Sequence, residues 1–443
     1  MSWVAIIPDT GSARCRYHDN ARRSPARRTF ESVSTPMHVM VLGAGVTGIT
    51  TAWYLLQAGH EVTVLERRED VGLETSFANG GQISVSHPEP WSSPAAPLIA
   101  LRSLGKPDAP LRFRFGTDWQ RYVWAVSFLR ECLPGRHRNN AERIARLALR
   151  SVRALRQLRE QSGIEYDHCA GGILHLLRDP AALSGAGRRV QQLAEWGIRA
   201  TLMKPSECCA LEPALARAPD LLGAILAPDD ESGDAHRFTQ ALASLFAGRG
   251  GRLLTGHDIL GLVREGTRIT QVLATAEQGS TRALQADAFV VCLGVGSARL
   301  LAPLGLRLPI YPVKGYSITV PIVDPARVTT VSLTDETRRL VCSRFGDRLR
   351  LAGTADIDGY DKRIDPRRIA SLRAWIDAFF PGATDLASAE AWAGLRPCTP
   401  SYAPLIGASG IDGLWLNTGH GSLGWTLACG SAETLMEQIN ART

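Results

Sequence analysis

One stretch limits what this chain can fold into more than any other: His38 to Glu66, HVMVLGAGVTGITTAWYLLQAGHEVTVLE. Val39, Met40, Val41 and Leu42 form a short apolar run, as a strand buried on both faces of a parallel sheet requires. Gly43, Gly45 and Gly48 then give G-x-G-x-x-G. The first glycine permits a tight turn, the second lets backbone approach a pyrophosphate, and the third lets a helix pack close to the strand. Ile49, Ala52, Trp53 and Leu56 fall at i, i+3, i+4 and i+7, so a helix follows with one apolar face. Its N-terminus points free N–H groups and a positive dipole end at the phosphates. Gly59 ends the helix, Glu61 to Leu65 form a second strand, and Glu66 stands about twenty residues past the glycines, where a ribose-binding acid belongs. A carboxylate accepts from ribose hydroxyls and repels a 2′-phosphate, so the segment reads as a site for the ADP part of FAD or NAD, not NADP. The glycines alone would be a weak signal. Strand, turn, helix, strand and acid in register favour a dinucleotide site over a bare structural turn.

The chain has 443 residues, enough for two domains with substantial cores. Its formal charge of +7 is mild, and residues 1–36 hold six arginines against three acids, so the balance does not argue for nucleic acid. Nine cysteines, odd in number and without C-x-x-C, read as reduced thiols of an intracellular protein, with neither a zinc site nor a disulfide framework. No run of 18 apolar residues exists to span a membrane. Residues 1–36 lack a continuous apolar core, which argues against a secretory signal. Met37 immediately precedes the first strand, so the expected natural start is near Met37, with a basic, disordered leader before it.

After Glu66, the loop ETSFANGGQIS carries Ser76, Asn79, Gly80, Gly81 and Gln82, polar and permissive enough to wrap N–H groups around a pyrophosphate or a flavin ring. Residues 85–118 look irregular. Helices are expected at Trp119–Cys132 and Ala141–Gln161. The second has Ile144, Leu147, Leu155 and Leu158 on an apolar face and Arg143, Arg146, Arg150 and Arg153 along a basic stripe. Such a helix can lie on an anionic membrane, although a stripe of this kind is more often the solvated face of a packed helix. Strands are expected at Gly171–Leu177, Leu221–Leu226, His257–Val263 and Ile269–Ala274. Asp234 and His236 suggest a helix-entry cap rather than metal ligands, and no metal is expected. The strand before Leu293, Gly294 and Gly296 reads as a further edge of the nucleotide-binding sheet, which makes that domain discontinuous. Residues 310–355 alternate like an antiparallel sheet with a Gly346-Asp347 turn, suited to one wall of a substrate pocket. The closing segment is strand, glycine loop (Gly419, His420, Gly421, Gly424) and helix. A helix N-terminus there would stabilise the negative pyrimidine edge of a reduced flavin, which places flavin ahead of nicotinamide.

With YPVKGYS and WAGLRPCTP, these motifs resemble the small-subunit type of D-amino-acid dehydrogenase, within the D-amino-acid oxidase and glycine oxidase superfamily, over essentially Met37 to Asn440. The resemblance implies FAD held non-covalently along the first turn and helix: Val39, Met40, Val41, Leu42, Gly43, Ala44, Gly45, Val46, Thr47, Gly48, Ile49, Thr50, Thr51, Ala52 and Trp53. It implies Glu66 on the ribose with Arg67 beside it, and Ser76, Asn79, Gly80, Gly81 and Gln82 along the pyrophosphate and ring. Ile259 would meet the adenine through its backbone, with Leu293 and Gly294 bordering the site. Gly419, Gly421, Leu423, Gly424 and Thr426 would cover the pyrimidine edge. Arg396, in GLRP, matches the arginine that binds the substrate carboxylate, a fork suited to bidentate contact. Tyr316 is expected to add a hydroxyl or an aromatic wall, with plain sheet packing as the alternative; Lys314 and His420 complete the candidate catalytic set. The implied reaction is oxidative deamination of a D-alanine-like D-amino acid to a 2-oxo acid and ammonia. Electrons would pass to a respiratory quinone or similar acceptor, and the protein would sit in the cytoplasm with peripheral contact to the inner face of the plasma membrane.

The expected fold combines α/β and α+β parts: a discontinuous Rossmann-like FAD-binding domain (37–84, 234–306, 390–443) and a mixed, largely antiparallel substrate-domain sheet (85–233, 307–389). Two departures stand out. Thr399-Pro400 leads to Ser401-Tyr402 where the family has T-P-D-G, and the chain ends at Thr443, short of the family's usual tail. The rival readings are a glycine- or sarcosine-type amine oxidase of the same fold and a flavin-binding protein without turnover.

Overall fold

The computed structural model describes residues 35–103, 111–275 and 279–442, and the expected leader lies almost wholly outside them. A six-stranded sheet runs in the order Leu405–Ala408, Leu414–Thr418, Ala288–Val291, β1 (His38–Leu42), β2 (Glu61–Leu65), Arg252–Leu254. Only its first pair is antiparallel. Stretches far apart in sequence therefore build one sheet. The strand Ala288–Val291, expected at an edge, pairs directly with β1, Val39 opposite Ala288 through Leu42 opposite Val291. All four of its residues are buried, which an interior place demands and an edge does not.

A second sheet of nine strands is mixed and largely antiparallel, as expected, with Glu390–Cys398, Tyr311–Pro321 and Arg348–Ile357 side by side. The Gly346 turn, with φ +60°, joins Leu340–Phe345 to Arg348–Ile357. Two parallel pairings, Ser332–Asp335 with Ile173–Leu177 and Leu111–Phe113 with Arg348–Ile357, make the sheet mixed. Within the stretch read as irregular the chain forms that three-residue strand Leu111–Phe113 and a helix of eight residues. Both are too short for periodicity to show.

Four helices matter to the site and its surroundings: α1 (Val46–Gln57), α2 (Ala96–Ser103), α3 (Trp119–Glu131) and α4 (Pro134–Ser162). α4 starts earlier than the apolar periodicity indicates, because Pro134 occupies its first turn, where a missing N–H is tolerated. Ile144, Leu155 and Leu158 of α4 are buried, and Arg150 bonds Glu433 at 2.6 Å and Glu437 at 2.5 Å on the C-terminal helix, Gly424–Asn440. With its apolar face packed inward, α4 has none to offer a bilayer, and the membrane-surface expectation fails for this helix. Asp234 caps the helix Ala235–Gly248, accepting from the N–H groups of His236 and Arg237 at 2.9 and 3.3 Å. No helix among the described residues is long and apolar enough to cross a membrane.

The C-terminal helix packs against both α1 and α4. Its closest approach to α4 is at Gly430, whose N–H donates to Ser151 Oγ at 3.0 Å. A Cβ there would stand 2.8 Å from both the Leu147 carbonyl oxygen and the Ser151 nitrogen. Backbone cannot yield as a side-chain tip can, so Gly430→Ala should cost about 1–3 kcal/mol, read as a lower denaturant midpoint. An unchanged midpoint would mean that the two helices slide apart freely.

Candidate functional site

The turn between β1 and α1 is held from both sides. Gly43 has φ +101°, and its N–H donates to the Leu65 carbonyl at 2.8 Å. A Cβ on Gly48 would sit 1.8 Å from the Gly43 oxygen, so the helix can start this close only with glycine there. Glu66 is fixed at the end of β2: one carboxylate oxygen accepts from the Ala44 N–H at 2.8 Å and the other from the Arg68 N–H at 2.9 Å. Ser76 Oγ accepts from the Val46 N–H at 3.0 Å, tying the second loop to the first turn of α1.

These groups open onto a cavity of about 800 Å³. The expected residues Gly43, Gly45, Val46, Thr47, Glu66, Arg67, Ser76, Asn79, Gly80, Gly81 and Gln82 line it. So do Ile259, Leu293, Gly294, Tyr316, Arg396, Gly419, His420, Gly421, Leu423, Gly424 and Thr426. α1 and the C-terminal helix both begin there, and neither carries an acidic residue in its first turn or a capping side chain. Two helix starts without an acidic residue or a cap from their own N-terminal residue turn their positive ends toward this cavity and suit anionic oxygens. Asn417 also borders the cavity. Its amide nitrogen donates to Thr51 Oγ1 at 2.9 Å, while its buried Oδ1 is left without a partner. A dinucleotide with an anionic pyrophosphate and a hydrogen-bonding ring system fits this donor and acceptor set, and FAD suits it better than NAD, because the second helix start has no counterpart need in a nicotinamide.

Other expected residues lie outside the cavity lining. Val39 to Leu42 lie within the sheet, and Ala44, Gly48, Ile49, Thr50, Thr51, Ala52 and Trp53 do not line the cavity. They shape it from behind, since a helix that starts at a ligand carries its later turns away from it. Lys314 is also outside. Its ammonium donates to the Arg363 carbonyl at 3.1 Å and stands 3.6 and 3.9 Å from Asp361 and Asp358. Strand alternation places it opposite Gly315, which does line the cavity. Tyr316 borders the cavity but turns its side chain to the same face as Lys314, with its ring in the sheet's buried apolar core and its hydroxyl donating to Asp356 at 2.8 Å, which is the plain sheet packing expected as the alternative.

Arg396 stands where this cavity meets a second one of about 940 Å³, and lines both. Its guanidinium lies over Gly315, where a Cβ would come within 2.4 Å of Cζ, and it donates to the Thr354 carbonyl at 2.9 Å. The ring of Trp91 is 5.6 Å away. Burial depresses its pKa from the usual arginine range. The one carboxylate that acts on it, Asp356, is already paired with Arg112 and Arg368. A half-buried guanidinium without its own carboxylate is primed for an anionic ligand.

His87, Trp91, Glu336 and Arg339 also border both cavities, and the sequence analysis missed them. Arg189 donates to His87 Nδ1 and to Glu336, each at 2.8 Å, and Glu336 also bonds His175 at 3.0 Å. Arginine cannot accept, so His87 Nδ1 is the acceptor and the ring is neutral with its proton on Nε2; burial keeps its pKa low. These partners hold the Glu336 carboxyl well below the usual range. His87, His175 and Glu336 gather like metal ligands, but the Arg189 guanidinium supplies the positive charge there. The only hint in the sequence was SHPEPW, in the stretch read as irregular. Tyr402, from the departing Ser401-Tyr402 loop, has φ +62° and packs its ring 5.2 Å from Trp91, so that departure reaches the site through Trp91.

Residues 38–438 match the family described as FAD dependent oxidoreductase, DAO. Similar proteins include the D-amino acid dehydrogenases of Paramagnetospirillum magneticum, 47% identical over 92% of this chain and 96% of that protein, and Dechloromonas aromatica, 46% identical over 92% and 97%. Similar folds include the L-proline dehydrogenase of P. horikoshii, with a TM-score of 0.69 and 19% identity over 93% of this chain and 95% of that one. The glycine oxidase of Geobacillus kaustophilus has a TM-score of 0.68 and 22% identity over 92% and 95%.

His420 is buried beside the start of the C-terminal helix, with Nε2 3.1 Å from Ser431 Oγ, and burial lowers its pKa to about 4. The unfolded chain takes up this proton near pH 6.5 and the folded chain only near 4, so stability is full above the first value and falls as pH drops through the window. His420→Gln should flatten that acid slope, worth up to about 3 kcal/mol, in denaturant titrations of the holoprotein. A slope unaltered by the substitution would rule out a buried neutral imidazole.

Proposed function

Because this chain belongs to the DAO family of FAD-dependent oxidoreductases, whose cofactor is FAD, we propose that it oxidatively deaminates D-amino acids of the D-alanine type. The observation that carries the reading is Arg396: a half-buried guanidinium, without its own carboxylate, at the junction of the cofactor cavity and a second cavity. The handedness rests on the D-amino acid dehydrogenases that match nearly the whole chain. When bound, FAD supplies the two-electron oxidation that turns the amine into an imine, which water hydrolyses to the 2-oxo acid and ammonia.

The side chains have positioning to do. Arg396 takes the substrate carboxylate through paired N–H donors, a contact that fixes both place and orientation. The ring of Trp91 bounds the space beside it. The amine must be neutral to form the C=N bond, and the surroundings favour that state. His87 and His420 are neutral, and the one nearby carboxylate, Glu336, is committed to Arg189 and His175, so no free anion holds an ammonium. The positive ends of α1 and the C-terminal helix would hold the pyrophosphate and the pyrimidine edge of the flavin, with Glu66 at the ribose. The electrons then leave for an acceptor other than oxygen, a respiratory quinone in this reading.

Anaerobic addition of D-alanine or D-methionine should bleach the flavin absorbance while L-alanine leaves it unchanged; a yellow protein that neither D-isomer bleaches would sink the assignment. Arg396→Met should lower kcat/KM by about 30- to 1,000-fold, equivalent to about 2–4 kcal/mol, mainly through KM and with FAD content retained. Undiminished turnover would place the carboxylate elsewhere.

A further inference from the structure

A chain of buried polar groups runs behind the junction of the two cavities. The short strands Gln82–Ile83 and Glu231–Ser232 pair antiparallel and bring Asp230 beside Ser84, Val85 and Ser86. Asp230 Oδ1 accepts from the Val85 and Ser86 N–H groups at 2.9 and 3.2 Å, and Oδ2 accepts from Ser84 Oγ at 3.0 Å. Ser86 Oγ stands 2.5 Å from Asp230 Oδ2 and 2.8 Å from His175 Nε2. His175 Nδ1 in turn is 3.0 Å from Glu336, which borders both cavities. Asp230, Ser86 and His175 are all buried, so water cannot make good a missing hydrogen.

The contacts Asp230 to Ser86, Ser86 to His175 and His175 to Glu336 need three protons. The Ser86 hydroxyl supplies one, a neutral imidazole a second, and ionised carboxylates none. A further proton must therefore reside in the chain. It sits on His175 as an imidazolium, or on Asp230 as a carboxylic acid with the Ser86 hydroxyl turned toward His175. Transfer through Ser86 Oγ interconverts the two, and in both His175 Nδ1–H donates to Glu336. Burial agrees with a retained proton, raising the Asp230 carboxyl to about 6, although the titration belongs to the chain rather than to one residue.

Loss of that proton to solvent changes Glu336. The Ser86 hydrogen stays on the shorter contact, to the Asp230 carboxylate. His175 then needs its remaining proton on Nε2 to meet Ser86, and a bare Nδ1 faces Glu336. No neighbour replaces the lost donor. Arg189 already donates to Glu336 and to His87, with Glu89 3.8 Å from its Nε, and Arg339 lines the cavities beside them. Asp229 is paired with Arg199, and Glu231 with Arg156, Arg159 and His168.

We propose that Asp230 and Ser86 are positioning residues for the oxidation: they retain a proton that keeps His175 donating to Glu336, and so keep that carboxylate from holding the substrate as an ammonium. This rests on the amine oxidation inferred above, so the state of His175 is read separately from turnover.

The test uses the full-length, FAD-loaded protein labelled with nitrogen-15 at histidine, with the His175 signals assigned by their loss in His175→Gln. Proton–nitrogen correlation spectra should show a proton on Nδ1 at low pH and on Nε2 alone above one titration step. Above the same step kcat for D-alanine should fall by up to about tenfold per pH unit. Asp230→Asn is close to isosteric, and its amide donates to Ser86 at every pH, so Nδ1–H and kcat should both persist. Ser86→Ala removes the bridge and should also abolish the step, which serves if the Asn variant loses FAD. A His175 that keeps one tautomer throughout the wild-type titration overturns the proposal. So does a step in kcat that neither variant moves. A tautomer switch in a protein that oxidises no D-amino acid would instead refute the oxidation reading, and with it the positioning role.

Discussion

Two helix starts converge on one cavity, and the rest of the chain is arranged so that the positive ends of both can face one ligand. α1 reaches the cavity because Gly43 and Gly48 let it begin at the very end of β1. The C-terminal helix reaches it because Leu414–Thr418 enters the same sheet two strands away, beyond Ala288–Val291. The two helices then lie against each other, and α4 covers the second of them at Gly430. Glu66 is the counterweight at the other end of the turn, an acceptor already oriented by the Ala44 and Arg68 N–H groups.

Charge inside the second sheet follows a different rule. Arg112 and Arg368 share Asp356, Arg178 pairs with Asp335, and Arg350 with Asp234, so these cations are neutralised within the protein. Arg396 departs from that rule on the same sheet. Gly315, diagonally across on the neighbouring strand, matters as much as the charge, because any side chain there would occupy the space of the guanidinium. The position is thus specified by a missing Cβ on one strand and a missing carboxylate around the other.

The cofactor half of the site was legible because its signals are local. A glycine turn, a helix face and a terminal acid lie within thirty residues, and the closing glycine loop announces itself the same way. Arg396 was found only through family likeness, since nothing in GLRP alone says that the arginine has no partner. Lys314 was misplaced because a strand's two faces look alike until register is known, and here Asp358 and Asp361 claim it. His87, Trp91 and Glu336 were invisible for a further reason: they come from two loops far apart in sequence and meet only through tertiary packing, with Arg189, from the helix Pro180–Glu195, joining two of them. The basic stripe of α4 carried a charge pattern that sequence could read, but its neighbour Glu433, nearly three hundred residues away, was not in view.

The interleaving of distant segments in the six-stranded sheet bears on how the molecule is made. β1 and β2 emerge early from the ribosome, yet their neighbour Ala288–Val291 and the strand Leu414–Thr418 arrive much later, and the second helix start arrives last of all. Contacts of such long sequence separation form slowly. Until synthesis ends, the β1–α1 turn has half a cradle and an exposed apolar strand edge, so the growing chain cannot be stabilised by its own cofactor.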